Sequence, residues 1–137
     1  RGSLVQFHTE HKLLILSHSP GHLRRMGRLV AQGADMPIST LYQEYQQILM
    51  EALRFKATPA KHCNVLQHIT GYFKKNLSFD ARQELLEVIN HYRAGLVPLI
   101  VPITLINHFV RLSDEPFLPQ QYYLHPHPLE LRLRNHA

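Results

Sequence analysis

One stretch of the sequence places an unusual set of chemically active side chains on a single face. In a helix that advances by about 100° per residue, residues 56–75 gather cations, an amide, an imidazole, a phenol and a glycine: Lys61, Asn64, His68, Gly71, Tyr72 and Lys75. Cations neutralise phosphates, while amides, imidazoles and phenols hydrogen-bond to exposed bases or stack on them. The face therefore has the chemistry of a nucleic-acid contact. The alternative is a polar network packed against the C-terminal part of the chain.

A second group of cations lies upstream, on the outer side of another predicted helix: Arg24, Arg25 and Arg28. Each guanidinium offers phosphate a bidentate fork, and residues 13–33 contain no acidic side chain that would neutralise the cluster. We therefore expect anion binding here, with a simply solvated helix face as the alternative. Further phosphate contacts are predicted at more widely spaced cations: Lys56, Lys74, Arg93 and Arg111.

Histidines suggest a different chemistry near the start of the chain. His8 and His11 are three residues apart, a spacing that could hold a metal ion. The other ligands of a closed site are not evident, and the sequence has no His-Glu-x-x-His pattern. We expect a polar helix face instead, and no metal or cofactor. The single cysteine, Cys63, can form neither an internal disulfide nor an iron–sulfur cluster by itself.

Apolar periodicity predicts the helices that position these residues: residues 5–17, 22–31, 40–55, 59–75, 79–94 and 103–111. Serine or threonine is well placed to cap three of them, at Ser19, Thr58 and Ser78. Thr40 and Gln43 resemble a capping box, and Gly95 is typical of a helix end. A helix that began at Pro98 would be kinked by Pro102.

After Ser113 the prolines recur, and the pattern favours a segment that wraps around the helices, with short turns at residues 120–123 and 129–134. We therefore predict an all-α fold: a single compact bundle of about six helices with a Pro-rich C-terminal wrap. Residues 1–4 are interpreted as a cloning remnant or a disordered start, and residues 5–137 as one helical domain.

The overall composition limits the partners. The chain has 137 residues, a formal charge of +5 and a pI near 9.6, which favours anionic partners such as nucleic acid. No apolar stretch approaches the length of a membrane span and no signal peptide is visible, so no membrane partner is expected. A lone cysteine is typical of a reducing compartment, and we expect a cytoplasmic protein.

Several motifs together resemble the YbgA family, a domain of unknown function. The core is residues 57–75, ATPAKHCNVLQHITGYFKK, and further matches follow in order along nearly the whole chain: LSHSP at 16–20, YRAGLVPLIVP at 92–102, LINH at 105–108, HPHPLEL at 125–131 and LRNH at 133–136. Members of the family occur alone or fused to a domain that resembles iron–sulfur thiouracil desulfurases. The resemblance implies an accessory that holds tRNA or another structured RNA, while a desulfurase domain in the same chain or in trans modifies a thiolated uridine.

This interpretation assigns the domain no catalytic activity of its own. Two alternatives remain open at the level of sequence. One is a stand-alone enzyme with a metal or acid–base site built from histidines: His8, His11, His18, His62 and His68. The other is a protein-interaction module that docks a partner enzyme through an apolar surface.

Overall fold

Six α-helices form the fold of the computed structural model, which describes residues 1–126. They are α1 (Gly2–His18), α2 (Pro20–Gln32), α3 (Ile38–Leu53), α4 (Pro59–Tyr72), α5 (Phe79–Arg93) and α6 (Ile100–Leu112). Short 3₁₀ turns follow α2 and α6: Gly33–Asp35, Leu118–Gln120 and Tyr122–Leu124. No strand occurs within these 126 residues, and the predicted all-α class is confirmed. The turn predicted at residues 129–134 lies outside the described residues.

Helix α1 lies between two hydrophobic clusters and contributes to both. Leu4 and Ile15 pack with α2 and α3 around Met26, whereas Leu13 and Leu16 join the larger core built from α4, α5 and α6. A helix that is apolar on several sides is a buried helix. Helix α1 is therefore the element that the two clusters share.

Three predicted caps are confirmed. The side chains of Ser19, Thr58 and Ser78 accept hydrogen bonds from backbone N–H groups in the first turns of α2, α4 and α5. Gly95 adopts the left-handed conformation, with φ of 78°. The capping box predicted at Thr40 is wrong: α3 begins at Ile38 after Pro37, so Thr40 already lies in the first turn.

Some helix boundaries differ from the prediction because tertiary packing decides them. Helix α1 is already helical at Gly2, where Leu4 is buried against α2 and α3. Helix α4 ends at Tyr72 rather than at residue 75, and the buried Phe73 turns the chain toward α5. Helix α6 begins at Ile100, which places Pro102 in the first turn, where a missing N–H leaves no intrahelical bond unmade.

The segment 118–124, here called the strap, threads between the helices. Leu118, Gln121, Tyr123 and Leu124 are almost completely buried. Hydrogen bonds connect the strap to α1, α4 and α6. The Gln121 amide bonds to α1, Tyr123 and His62 of α4 share a hydrogen bond of 2.6 Å, and the carbonyl of Leu124 accepts from Asn107 of α6 at 2.8 Å. The predicted wrap is therefore part of the core.

The contact of Gln121 with α1 is unusual. Its Nε2 donates to the carbonyl of Thr9 at 2.6 Å, and its Oε1 accepts from the N–H of Leu13 at 3.2 Å. Those two backbone groups are also the ones that pair with each other in a regular α-helix, and α1 is helical throughout Gly2–His18. The side-chain amide thus offers each of them a further partner from outside the helix.

We expect Gln121→Ala to lower the free energy of unfolding by about 2–4 kcal/mol, because it removes two buried hydrogen bonds and leaves a cavity. Urea unfolding followed by circular dichroism measures this loss. Gln120→Ala is the matched control, since among residues 1–126 that half-buried amide bonds only to Gln6 and the carbonyl of Pro116. Equal stability of the two variants would contradict the assigned role.

Candidate functional site

The polar face predicted on α4 is divided in the structure among three surroundings. His68 is exposed to solvent. Tyr72 stacks on Phe117 with ring centroids 4.6 Å apart, and burial, then the nearby Glu115 carboxylate, raise the pKa of its phenol. Lys61 and Asn64 turn away from each other toward different neighbours. The face is therefore not one continuous contact surface.

Lys61 is held inside the fold rather than offered to a ligand. Its ammonium donates to the carbonyls of His18 and Lys56, each at 2.9 Å, and lies 5.6 Å from the centre of the Phe55 ring. A cation at the last carbonyls of α1 also interacts favourably with the negative end of that helix. The structure therefore places Lys61 in a structural position, where it joins α1 to the start of α4, and not in the position of the predicted phosphate contact.

Asn64 lies in a groove between α4 and α5. The groove has a volume of about 510 Å³ and is lined by Pro59, Ala60, Cys63, Asn64, Gln67 and Arg93. The guanidinium of Arg93 is steadied by a 2.9 Å bond to the Oδ1 of Asn90. Gln67 had not been singled out from the sequence, although it follows Cys63 and Asn64 by one helical turn, which is the signal that could have found it.

The buried edge of this groove is apolar. Cys63 is 8% exposed and lies beside Tyr92, whose pKa is raised to about 12 by burial and then by the Cys63 thiol. The phenol of Tyr92 is therefore neutral near pH 7, and the groove combines this buried edge with a cation, Arg93, in its lining.

The arginine cluster of α2 is on the surface as predicted, with all three side chains exposed. The expected absence of a neutralising acid is correct along the sequence but not in space. Glu51 of α3 lies 3.6 Å from Arg25 and 3.4 Å from the Nε2 of His22. Within residues 1–126 these are the only ion pairs, so no carboxylate in this part of the chain pairs with Arg24 or Arg28.

A shallow pocket of about 300 Å³ connects this cluster to the start of α4. It is lined by His22, Glu51, Arg54 and Phe55. The Phe55 ring lies 5.3 Å from the His22 ring on one side and 5.6 Å from the Lys61 ammonium on the other. The exposed Arg54 and Lys56 flank the ring in sequence. We call the exposed cations of α2 and of the loop before α4, together with the Phe55 ring, the basic surface: Arg24, Arg25, Arg28, Arg54 and Lys56. Glu51 is the acidic side chain in the pocket beside Phe55.

The other predicted cations lie elsewhere. Lys74 and Lys75 are exposed in the turn after α4. Arg111 lines a separate groove of about 550 Å³ between α5 and α6, beside Glu84 and apolar side chains that include Val101 and Leu105. The structure therefore does not bring Arg111 together with Arg93.

The histidines proposed as metal ligands have other partners. The Nδ1 of His8 bonds to the hydroxyl of Tyr45 at 2.9 Å in the core. His11 is sandwiched between Phe7 and Tyr122, with ring centroids 4.0 and 4.5 Å away. In the part of the chain that the structure describes, no three His, Cys, Asp or Glu side chains come close enough to hold a metal ion.

Fold and surface together define a small all-α domain with an exposed basic surface and a groove lined by two amides, an arginine and apolar side chains. Residues 12–128 match a family described as "Protein of unknown function (DUF1722)". The chain is also 34% identical over 136 residues to the uncharacterized protein YbgA of Escherichia coli (strain K12), covering 98% of this chain and 80% of that protein. The chain therefore belongs to the YbgA family. No solved structure matches it, and none of the helices in residues 1–126 is long and apolar enough to cross a membrane.

We expect Lys61→Met to lower the free energy of unfolding by about 1–3 kcal/mol, because two charge-assisted bonds to backbone carbonyls are lost. Lys75→Met is the control, since that exposed side chain makes no hydrogen bond within residues 1–126. Chemical denaturation of both variants gives the comparison. A stable Lys61→Met protein would show that the carbonyls of His18 and Lys56 do not need this partner.

His8 makes stability depend on pH. Burial, and secondarily Lys12, lower its pKa from 6.5 to about 4. The folded state therefore resists protonation, and the unfolded state binds more protons as the pH falls from about 6.5 to about 4. The contribution of His8 to the free energy of unfolding is therefore fully present above about pH 6.5, and it is lost as the pH falls from about 6.5 to about 4. Wild-type Tm should fall more steeply with acidification than that of His8→Gln, which retains a partner for Tyr45. Parallel Tm profiles would contradict this assignment.

Proposed function

We propose that this domain binds structured RNA, and tRNA in particular, as the accessory of a thiouridine desulfuration or a related tRNA modification. The observation that carries the proposal is the basic surface, formed by exposed cations of α2 and of the loop before α4 around Phe55. Its exposed arginines and lysines, Arg25 excepted, have no carboxylate partner among residues 1–126. Unpaired cations arranged along a surface are the electrostatic footprint of a nucleic-acid-binding protein.

The distribution of acidic residues supports the same interpretation. The sequence has none between Glu51 and Asp80, so α4 and both of its flanking loops carry only basic charge. The acids of α5 are confined to its first three turns, at Asp80, Glu84 and Glu87, and its last turn carries Arg93. An anionic ligand that approaches the start of α4 therefore meets little repulsion.

Two parts of the surface are suited to different tasks. Arg24 and Arg28 are exposed on successive turns of α2, where their side chains can contact adjacent phosphates through guanidinium forks. The groove beside Asn64 has a mostly apolar lining with two side-chain amides and one cation. We assign the α2 arginines to the phosphate backbone and leave base contacts to α4.

The chemistry of modification is assigned to a partner. One cysteine cannot supply the thiolates of an iron–sulfur cluster, so the proposal places the cluster in a desulfurase domain, in the same chain or in trans. The lone cysteine also supports a reducing compartment, and the proposal locates the domain in the cytoplasm.

The test is a salt-titrated mobility shift with bulk tRNA and duplex DNA as competitor. Wild-type protein should prefer tRNA, and its affinity should fall steeply with salt. Arg24→Ala/Arg28→Ala should reduce the slope of log K against log salt by roughly 0.7–0.9 for each lost phosphate contact. Arg82→Ala removes a cation outside the basic surface and should leave the slope unchanged.

Binding without a tRNA preference would contradict the assignment to tRNA. A slope that is the same in the α2 double variant and in wild type would show that these arginines do not contact the backbone. Lys61 is left out of this comparison because its replacement is expected to change stability.

A further inference from the structure

We propose that the groove between α4 and α5 is the binding site for a single unpaired nucleobase, whose edge is read by Asn64 and Gln67 and whose phosphate is held by Arg93. This inference rests on the proposed RNA-binding function and specifies which part of the RNA the domain recognises.

The size of the groove is suited to one nucleotide. Its volume of about 510 Å³ lies in the range of roughly 300–1,000 Å³ typical of small-ligand sites. Pro59, Ala60 and Cys63 form an apolar wall on which a planar ring can pack. A double helix is too wide to enter, so the occupant must be a base that has left the stack.

The polar lining has hydrogen-bonding capacity that the described protein does not use. The side-chain amides of Asn64 and Gln67 make no hydrogen bond within residues 1–126, although Asn64 is half-buried. A carboxamide carries both donors and an acceptor, which is what pairing with the edge of a base requires. A phosphate group, whose oxygens only accept hydrogen bonds, would instead be bound by cationic side chains.

Arg93 supplies the contact that amides cannot make. One of its nitrogens is fixed by Asn90, which leaves the outer donors of the guanidinium at the rim of the groove. No acidic side chain lines the groove. The first turn of α4, at Pro59 and Ala60, adds the positive end of the helix dipole at the same wall. A base inside the groove would pair with the two side-chain amides, and its phosphate at the rim would pair with the Arg93 guanidinium.

The inference is tested with two RNAs that carry equal numbers of phosphates: a hairpin with a single-stranded loop, and a blunt duplex. Fluorescence anisotropy gives the affinity of each over a range of salt concentrations. Wild-type protein should prefer the hairpin. Asn64→Ala/Gln67→Ala should lose about tenfold in affinity for the hairpin, with unchanged duplex affinity and an unchanged salt slope.

Gln83→Ala is the matched control, because it removes an exposed amide of α5 that does not line the groove. Thermal melts establish that the variants are folded, and the single Gln67→Ala variant, at an exposed position, should show a partial loss of the hairpin preference.

The possible outcomes separate the two proposals. Salt-dependent binding without a hairpin preference, or with a preference that survives in the double variant, overturns the nucleobase site and leaves the RNA-binding proposal intact. Failure of both RNAs to bind at low salt overturns both proposals. Both proposals are supported if wild-type protein prefers the hairpin, the Asn64→Ala/Gln67→Ala variant loses that preference and the Gln83→Ala control keeps it.

Discussion

The need to satisfy buried backbone polar groups explains much of this structure. The strap crosses the interior as two short 3₁₀ turns that pair some of its backbone groups locally, and its other buried polar groups require partners from the helices. The side chain of Gln121 bonds to the backbone of α1, and the carbonyl of Leu124 accepts a hydrogen bond from Asn107 of α6. Tyr123 adds a bond to α4. The strap thereby links α1, α4 and α6 through hydrogen bonds.

This arrangement determines which side of α4 is available to a ligand. The strap and α5 cover the apolar side, where Val65, Leu66 and Ile69 are fully buried. Lys61 is used to hold the end of α1. The wall that carries Asn64 and Gln67 remains at the surface and lines the groove together with Arg93 of α5. The position of the groove thus depends on the contacts that hold α4, through Lys61 near its start and through its buried apolar side.

Local sequence signals predicted the local structure well. Ser19, Thr58 and Ser78 are confirmed as caps because a cap depends on a side chain and a backbone N–H only two or three residues apart. The partners of charged side chains were not predictable in this way. Lys61 bonds to a carbonyl 43 residues away, and Glu51 reaches Arg25 from another helix. The sequence therefore indicated the basic character of the surface but not which of its cations are free.

The position of α1 has a consequence for synthesis of the chain. The cluster of α1, α2 and α3 is complete once the first 53 residues have been made, whereas Gln121 contacts α1 across 108 and 112 residues of sequence. Contacts of such long range form late in folding. A nascent chain on the ribosome can therefore form its three-helix half early, with the other side of α1 uncovered. The larger core is completed only when the strap has been made, and until then its side of α1 lacks the hydrogen bonds from Gln121.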